Sequence, residues 1–205
     1  MTSFYRRYIL PPLLDRAMSD RRISRYRRPV LAPATGRVLE IGFGTGANLS
    51  HYPESIRQLE IVEPDAALNA RAERRLAKTS REVIVHALSA EQLPFDAGSF
   101  DTVVSTFTLC SIPDVASALR EIHRVLKPGG RLVYATCSVL PEENEATVQD
   151  FLAAHPDFEA MDAAQELARL KVPEAAFLCE GGHLRLWPHR HGTDGFFAAV
   201  IVRRP

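Results

Sequence analysis

Five short runs of mostly β-branched and aliphatic residues recur along the first two thirds of the chain, separated by segments of helical period. The runs are 37–41, 59–63, 83–86, 102–105 and 131–136. Runs of this length, apolar on both alternating faces, read as strands covered on both sides. Between them, Ala67 to Lys78 is dense in Ala, Arg, Leu and Glu, and Val115, Leu119, Ile122 and Leu126 share one helical face. Asp114 stands at the N-cap position of that second helix, and Lys127-Pro128-Gly129-Gly130 predicts its stop and the turn into the next strand. Strand and helix in alternation imply right-handed βαβ crossovers, hence a parallel sheet with helices on both faces.

After Thr136 the alternation loosens. Glu143 to Ala154 reads as helix, Asp157 to Gly182 fits neither period, and Leu184-Arg185-Leu186-Trp187 and Gly195 to Val202 read as two last strands. The turn Gly192-Thr193-Asp194-Gly195 predicts that these two close as an antiparallel pair. Trp187, Phe196 and Phe197 are expected in the core of that pair. A chain of 205 residues that is 46% hydrophobic can bury one adequate core without disulfides or metals, so a single domain is expected.

Lys+Arg and Asp+Glu are equal at 25 each, which excludes the global field of a dedicated nucleic-acid or membrane-surface protein. The balance is local, however: residues 1–37 hold nine Arg and two Asp, a net charge of +7. With Tyr5, Tyr8 and Tyr26 interleaved, this cluster could meet RNA phosphates or an anionic substrate, but it is read as solvated helix faces whose aromatic residues pack on the core. Cys110, Cys137 and Cys179 have no paired spacing and read as reduced thiols. His189-Arg190-His191 lacks a third ligand and reads as a basic loop, so no metal is expected. Pro11 and Pro12 break the apolar stretch after Arg6-Arg7, giving no signal-peptide pattern, and no run has membrane-span length. A soluble cytoplasmic protein is expected.

The turn Gly42-Phe43-Gly44-Thr45-Gly46 follows the first run directly and precedes the helical start Ala47-Asn48-Leu49. Glycine suits a tight turn and a close approach of ligand to backbone. Gly42, Gly44 and Ala47 also satisfy the dinucleotide pattern G-x-G-x-x-G/A, and Glu63, about 20 residues on, could hold a ribose in either case. Charge separates the readings. Glu40, two residues before the first glycine, would repel a pyrophosphate but attract the sulfonium and ammonium of S-adenosylmethionine.

Four further segments accompany this turn in order: Glu63-Pro64-Asp65, Ser89-Ala90-Glu91-Gln92-Leu93-Pro94-Phe95, Ser99-Phe100-Asp101 and Arg124-Val125-Leu126-Lys127-Pro128-Gly129-Gly130. Together with Val38 to Gly46 they resemble the motifs of class I S-adenosylmethionine-dependent methyltransferases. The resemblance implies an α/β, Rossmann-like fold with a seven-stranded, mostly parallel sheet and an antiparallel last strand. It implies S-adenosylmethionine as cofactor, contacted by Glu40, Gly42, Phe43, Gly44, Gly46, Asn48, Glu63, Pro64, Ser89, Ala90, Glu91 and Thr106. Adenine would lie between the end of the second strand and the Ser89-Ala90-Glu91 turn. Ser89 departs from the aspartate that many relatives carry. The division expected is a helical cap over 1–36, a cofactor-binding half over 37–136, and a C-terminal helix with the closing strand pair over 137–205.

The resemblance itself has two parts. From Arg7-Tyr8-Ile9-Leu10-Pro11 through Ser105 to Pro113 and on to Leu132, the chain is similar to a small bacterial family related to the thiol methyltransferases, whose N-terminal segment covers the cofactor. From Thr136-Cys137-Ser138 through Pro188-His189-Arg190-His191-Gly192-Thr193-Asp194-Gly195-Phe196-Phe197, it resembles the C-terminal part of Sun-type ribosomal RNA 5-methylcytosine methyltransferases. A chimera joined inside the fifth strand fits both. The Sun-type resemblance nominates Cys137 as a nucleophile toward cytosine C6, yet the family's Asp and Pro-Cys at the end of strand four are replaced by Ser105-Thr106-Phe107-Thr108. Cys137 is therefore expected to be an idle, buried thiol.

The expected function is methyl transfer from S-adenosylmethionine to a small nucleophile. The alternatives are an RNA 5-methylcytosine methyltransferase using Cys137, a cofactor-binding chimera without catalysis, and an NAD-dependent oxidoreductase that tolerates Glu40 beside pyrophosphate.

Overall fold

A computed structural model describes residues 21–64 and 70–205. Within them the elements run α1 (Arg21–Leu31), β1 (Val38–Ile41), β2 (Gln58–Val62), α2 (Ala70–Leu76), β3 (Glu82–His86), β4 (Phe100–Thr106), α3 (Val115–Val125), β5 (Leu126–Thr136), α4 (Glu145–Ala154), β6 (Phe158–Ala160), α5 (Ala163–Arg169), β7 (Cys179–Glu180), β8 (His183–Leu186), the single helical turn α6 (Pro188–His191) and β9 (Phe196–Arg203). The sequence-based helix over 67–78 is observed as Ala70–Leu76; residues 67–69 lie outside the described residues, as do 1–20 of the expected cap.

The strands form one sheet in the order β3-β2-β1-β4-β5-β9-β8-β7, with β6 also paired to β9. The first five are parallel, and β9 runs against both neighbours, β5 and β8. Seven strands along this path match the expected sheet. The two additions, β6 and β7, come from the stretch that fitted neither period. They are too short to show a period of their own: β6 forms because β9 is long enough to pair twice on one edge, with β8 at Phe196–Ala198 and with β6 at Ile201–Arg203, and β7 forms on the outer edge of β8.

Every residue of β1 is buried, as a strand between two parallel neighbours requires. Its side chains alternate between two cores. Val38 packs with Tyr26, Val30 and Leu31 of α1, Ala72 of α2 and Leu167 of α5. Leu39 and Ile41 pack with Ala118, Ile122 and Val125 of α3 and Val148 and Phe151 of α4. Asp114 caps α3 by accepting from the Ser117 N–H at 3.0 Å.

The Lys127-Pro128-Gly129-Gly130 segment corrects the expectation of a simple turn. It is a bulge inside β5: Phe100 pairs with Leu126 and Thr102 with Arg131, so two steps on β4 face five on β5. Gly129 takes a left-handed φ of 77°, and Lys127 Nζ bonds both Asp101 oxygens at 2.9 Å. Among the described residues no helix is long and apolar enough to cross a membrane.

Order reverses between β1 and β4, where the chain leaves the sheet toward β2 on one side and β5 on the other. In open α/β sheets ligands bind in the crevice outside the carboxyl ends at this point.

Candidate functional site

A cavity of about 440 Å³ opens there. Its walls are the turn after β1 (Glu40, Gly42 to Thr45, Ala47, Asn48), the end of β2 (Glu63, Pro64), the end of β4 (Thr106 to Thr108), the following turn (Ser111, Ile112), Cys137 after β5, and Arg27 from α1.

The turn is built on left-handed glycines, at φ 77° for Gly42, 53° for Gly44 and 73° for Gly46. A Cβ on Gly42 would stand 2.1 Å from Thr108 Oγ1, and one on Gly46 would stand 2.7 Å from the Phe43 ring. Gly46 therefore closes the turn against Phe43 and is not part of the cavity wall. Gly44 differs: a Cβ there would meet nothing within 4 Å, so its backbone faces open space that a ligand can enter. Its N–H donates to Glu63 Oε2 at 2.9 Å, which fixes the β2 carboxylate beside the turn. Arg75 of α2 anchors the same turn by donating to the Thr45 carbonyl at 2.6 Å.

Glu40 lies at the bottom, 1% exposed. Asn48 Nδ2 donates to its Oε1 at 3.0 Å and to Thr106 Oγ1 at 2.8 Å, and the Tyr52 hydroxyl donates to its Oε2 at 2.8 Å. Burial raises its pKa to about 7; the two hydrogen bonds and the Arg27 charge hold it from going higher, while Glu63 pushes the same way as burial. Arg27, also buried, donates to Asn48 Oδ1 and lies 5.0 Å from the centroid of the Phe107 ring. Phe107 itself has a left-handed φ of 60°, a strained conformation at the cavity wall. The cavity thus has an acid and a guanidinium on its walls, bridged by one amide.

Of the residues nominated from sequence, Glu40, Gly42, Phe43, Gly44, Asn48, Glu63, Pro64, Thr106 and Cys137 meet in this cavity. Ser89, Ala90 and Glu91 are not among its described lining. The Ser89 hydroxyl donates to Glu91 Oε2 at 2.8 Å, Glu91 Oε1 accepts from the Asp114 N–H at 2.7 Å, and Ala90 is buried in the second core. Cys137 corrects an expectation: it is exposed, not buried. The chain turns away from the sheet at Thr136, whose hydroxyl bonds Asn144, and Asn144 in turn donates to the Ser138 carbonyl at 3.0 Å, leaving the thiol at the open end of β5. The basic loop at 189–191 is instead the helical turn α6, with His191 held between Trp187 and Phe177.

Arg27, Thr45, Ala47, Phe107, Thr108, Ser111 and Ile112 are lining residues that were not nominated. Arg27 corrects the reading of the N-terminal arginines as solvated, for this one member. Elsewhere His123, His155 and Asp157 converge. Their imidazoles stack 4.3 Å apart at 19°, so the ring nitrogens lie in separate near-parallel planes, and Asp157 is already bonded to Arg203. That is poor geometry for a common metal.

Comparison with known proteins divides the chain as the motifs do. Residues 39–134 match the family model described as "Methyltransferase domain", and residues 113–202 match "16S rRNA methyltransferase RsmB/F". The chain is 34% identical over 134 residues to the human thiol S-methyltransferase TMT1B, covering 62% of this chain and 54% of that protein. It is 37% identical over 112 residues to demethylmenaquinone methyltransferase of Clavibacter sepedonicus, covering 54% and 45%. It is 44% identical over 88 residues to a Bacillus subtilis protein named "Probable ribosomal RNA small subunit methyltransferase B", covering 43% and 19%. The chain thus spans between 19% and 54% of the length of these relatives. Among solved structures, N-methyltransferase NodS of Bradyrhizobium japonicum with S-adenosyl-L-homocysteine gives a TM-score of 0.68 over 100% of this chain and 98% of that one, at 17% identity, a likeness of fold.

Proposed function

We propose that this chain, which belongs to the class I S-adenosylmethionine-dependent methyltransferases, binds that cofactor in the switch-point cavity and transfers its methyl group to a small nucleophile. The observation that carries the reading is the pairing of buried Glu40 with buried Arg27 across Asn48. An amino-acid moiety with one cationic and one anionic end complements that wall, and a pyrophosphate does not.

The residues present fit such a ligand. Glu40 would hold the ammonium and sulfonium, Arg27 the carboxylate, and Glu63 the ribose hydroxyls, while Gly44 leaves the space open. When bound, the cofactor would supply an electrophilic methyl carbon on a sulfonium leaving group. The protein's part is positioning. Phe107 and Ile112 give the wall an apolar side, and Thr106, Thr108 and Ser111 supply hydroxyls beside it. We assign no dedicated base: an acceptor that ionises near neutral pH, such as a thiol, gives its proton to solvent. We read the chain as one methyltransferase domain of the cytoplasm, with residues 1–36 as cap.

Exposure of Cys137 at the cavity favours a second reading, RNA cytosine methylation. Attack of the thiolate on C6 needs an acid for the ring and later a base for the C5 proton, and no carboxylate lies at the end of β4, where Thr106-Phe107-Thr108 stand. A covalent complex with 5-fluorocytosine RNA, absent in Cys137→Ser, would establish it. The junction over 113–134, where both family models match, supports a third reading, a chimera that binds cofactor without turnover.

Calorimetric titration tests the main reading. S-Adenosylmethionine and S-adenosylhomocysteine are expected to bind and NAD is not; binding of NAD alone would sink it.

A further inference from the structure

A second and larger cleft, of about 590 Å³, lies on the other side of α1 and shares no lining residue with the first. Tyr26, Arg28 and Pro29 form one wall, Lys171 to Glu174 the second, and Phe177, Leu178, Arg190 and His191 the third. None of the residues used in the methyl-transfer reading lines it, although α1 contributes to both.

Its chemistry is that of an anion site beside an aromatic platform. The Arg28 and Lys171 side chains are exposed and engage in no hydrogen bond or ion pair with the described residues. Arg190 adds a third cation, loosely held 3.8 Å from Glu180 and 5.6 Å from the Phe177 centroid. Against these stands one acid, Glu174. Phe177 is 50% exposed, one of four large apolar side chains so open among the described residues. His191 meets its ring edge-on at 4.9 Å and accounts for only part of its surface.

The loop that carries the second wall is held in a costly form. Lys171 and Glu174 both take left-handed φ, 57° and 56°, although neither is Gly, Asn or Asp. Such a backbone is unfavourable for either residue, so the packing of Leu167, Ala175 and Leu178 into the core must impose the loop's shape. The cleft joins α1, which precedes both matched segments, to residues 171–191, which fall within the 113–202 match.

We propose that this cleft binds a nucleotide, with the phosphate between Arg28 and Lys171 and the base against Phe177 and Arg190. Compact divalent charge suits two cations from separate segments that have no partner among the described residues, and a half-open phenyl ring backed by a guanidinium is a stacking surface for any base. Glu174 lies within the same cleft to accept from a ribose hydroxyl or exocyclic amine. A free mononucleotide and an unpaired nucleotide of an RNA strand offer the same groups, and the proposal does not rest on the methyl-transfer reading.

The experiment titrates adenosine 5′-monophosphate, ribose 5-phosphate and a single-stranded pentaribonucleotide into the protein with and without saturating S-adenosylhomocysteine. Adenosine monophosphate is expected to bind equally well in both conditions, and more tightly than ribose 5-phosphate. Lys171→Glu and Arg28→Glu should each weaken it about tenfold, and Phe177→Ala about fivefold, with unchanged thermal melting. Binding of the pentaribonucleotide alone, lost in the same variants, assigns the site to RNA. Competition with S-adenosylhomocysteine, equal affinity for ribose 5-phosphate, indifference to all three substitutions, or no binding of any probe at millimolar concentration would overturn the proposal.

Discussion

The Tyr52 hydroxyl donates to Glu40 Oε2 at 2.8 Å inside the protein, where neither group meets solvent. A carboxylate so placed is held by hydrogen bonds that favour its charge and by burial that opposes it, and burial wins, bringing its pKa to about 7. The folded value lies above the ordinary 4.5, so between pH 4.5 and 7 the native state binds a proton the unfolded chain has lost. Stability therefore falls as pH rises through that window, by about 3 kcal/mol in all.

A cationic ligand reverses the preference, because it needs the ionised form. Affinity for S-adenosylhomocysteine should rise about tenfold from pH 6 to pH 8, and Glu40→Gln should abolish that dependence, weaken binding and raise the melting temperature at pH 8. Calorimetry at three pH values and a melting series check both halves; a flat pH profile in the parent protein would remove Glu40 from the ligand's surroundings.

Glu63 presents the same chemistry at the other end of the cavity. Its Oε2 accepts from Gly44 N–H at 2.9 Å, a bond that pre-positions the carboxylate without burying it. Glu63→Ala should weaken S-adenosylhomocysteine about tenfold or more, on the scale of a charge-assisted pair. Unchanged affinity in titration would show that the ribose lies elsewhere.

Arg27 gives a sharper discrimination. Arg27→Gln should weaken S-adenosylhomocysteine about tenfold and leave 5′-methylthioadenosine, which lacks the amino-acid moiety, within about twofold. It should also move the Glu40 midpoint upward, since the Arg27 charge lowers it. Equal losses for both ligands would make Arg27 a packing residue only.

The glycines of the turn should respond unequally. Gly42→Ala combines a left-handed φ with a clash against Thr108 and should cost about 3 kcal/mol. Gly44→Ala carries only the backbone penalty, about 1 kcal/mol. Denaturant midpoints of the two variants measure the difference, and a Gly44 substitution that destabilises as much as Gly42 would contradict the open space beside it.

Periodicity located all five parallel strands and α3 because those elements bury faces whose spacing is written in the chain; Val115–Val125 is capped by Asp114 as its residues require. The bulge at Lys127–Gly130 was not legible in the same way, since proline and glycine mark a break without saying whether it turns the chain or bulges a strand. The 157–182 stretch is illegible because β6 and β7 are three and two residues long, too short to show a period, and exist only where β9 and β8 offer them an edge.

Within the site, the amino-acid sequence alone determined the turn and its acids. Three glycines, Glu40 and Glu63 sit next to strand ends, and a strand end has one place to be in a parallel sheet. Tertiary structure decided the rest. Nine arginines crowd the first 37 residues, and nothing local distinguishes Arg27; it is singled out because α1 packs Tyr26, Val30 and Leu31 against the sheet and so turns Arg27 into the cavity. Cys137 is open because Asn144 pulls the chain off β5, and Glu40 holds its proton near neutrality because it is buried at the bottom of the cavity. Local spacing sets where a residue lies along an element. Burial, desolvation and strain depend on what packs against it, and that is settled only when distant segments meet.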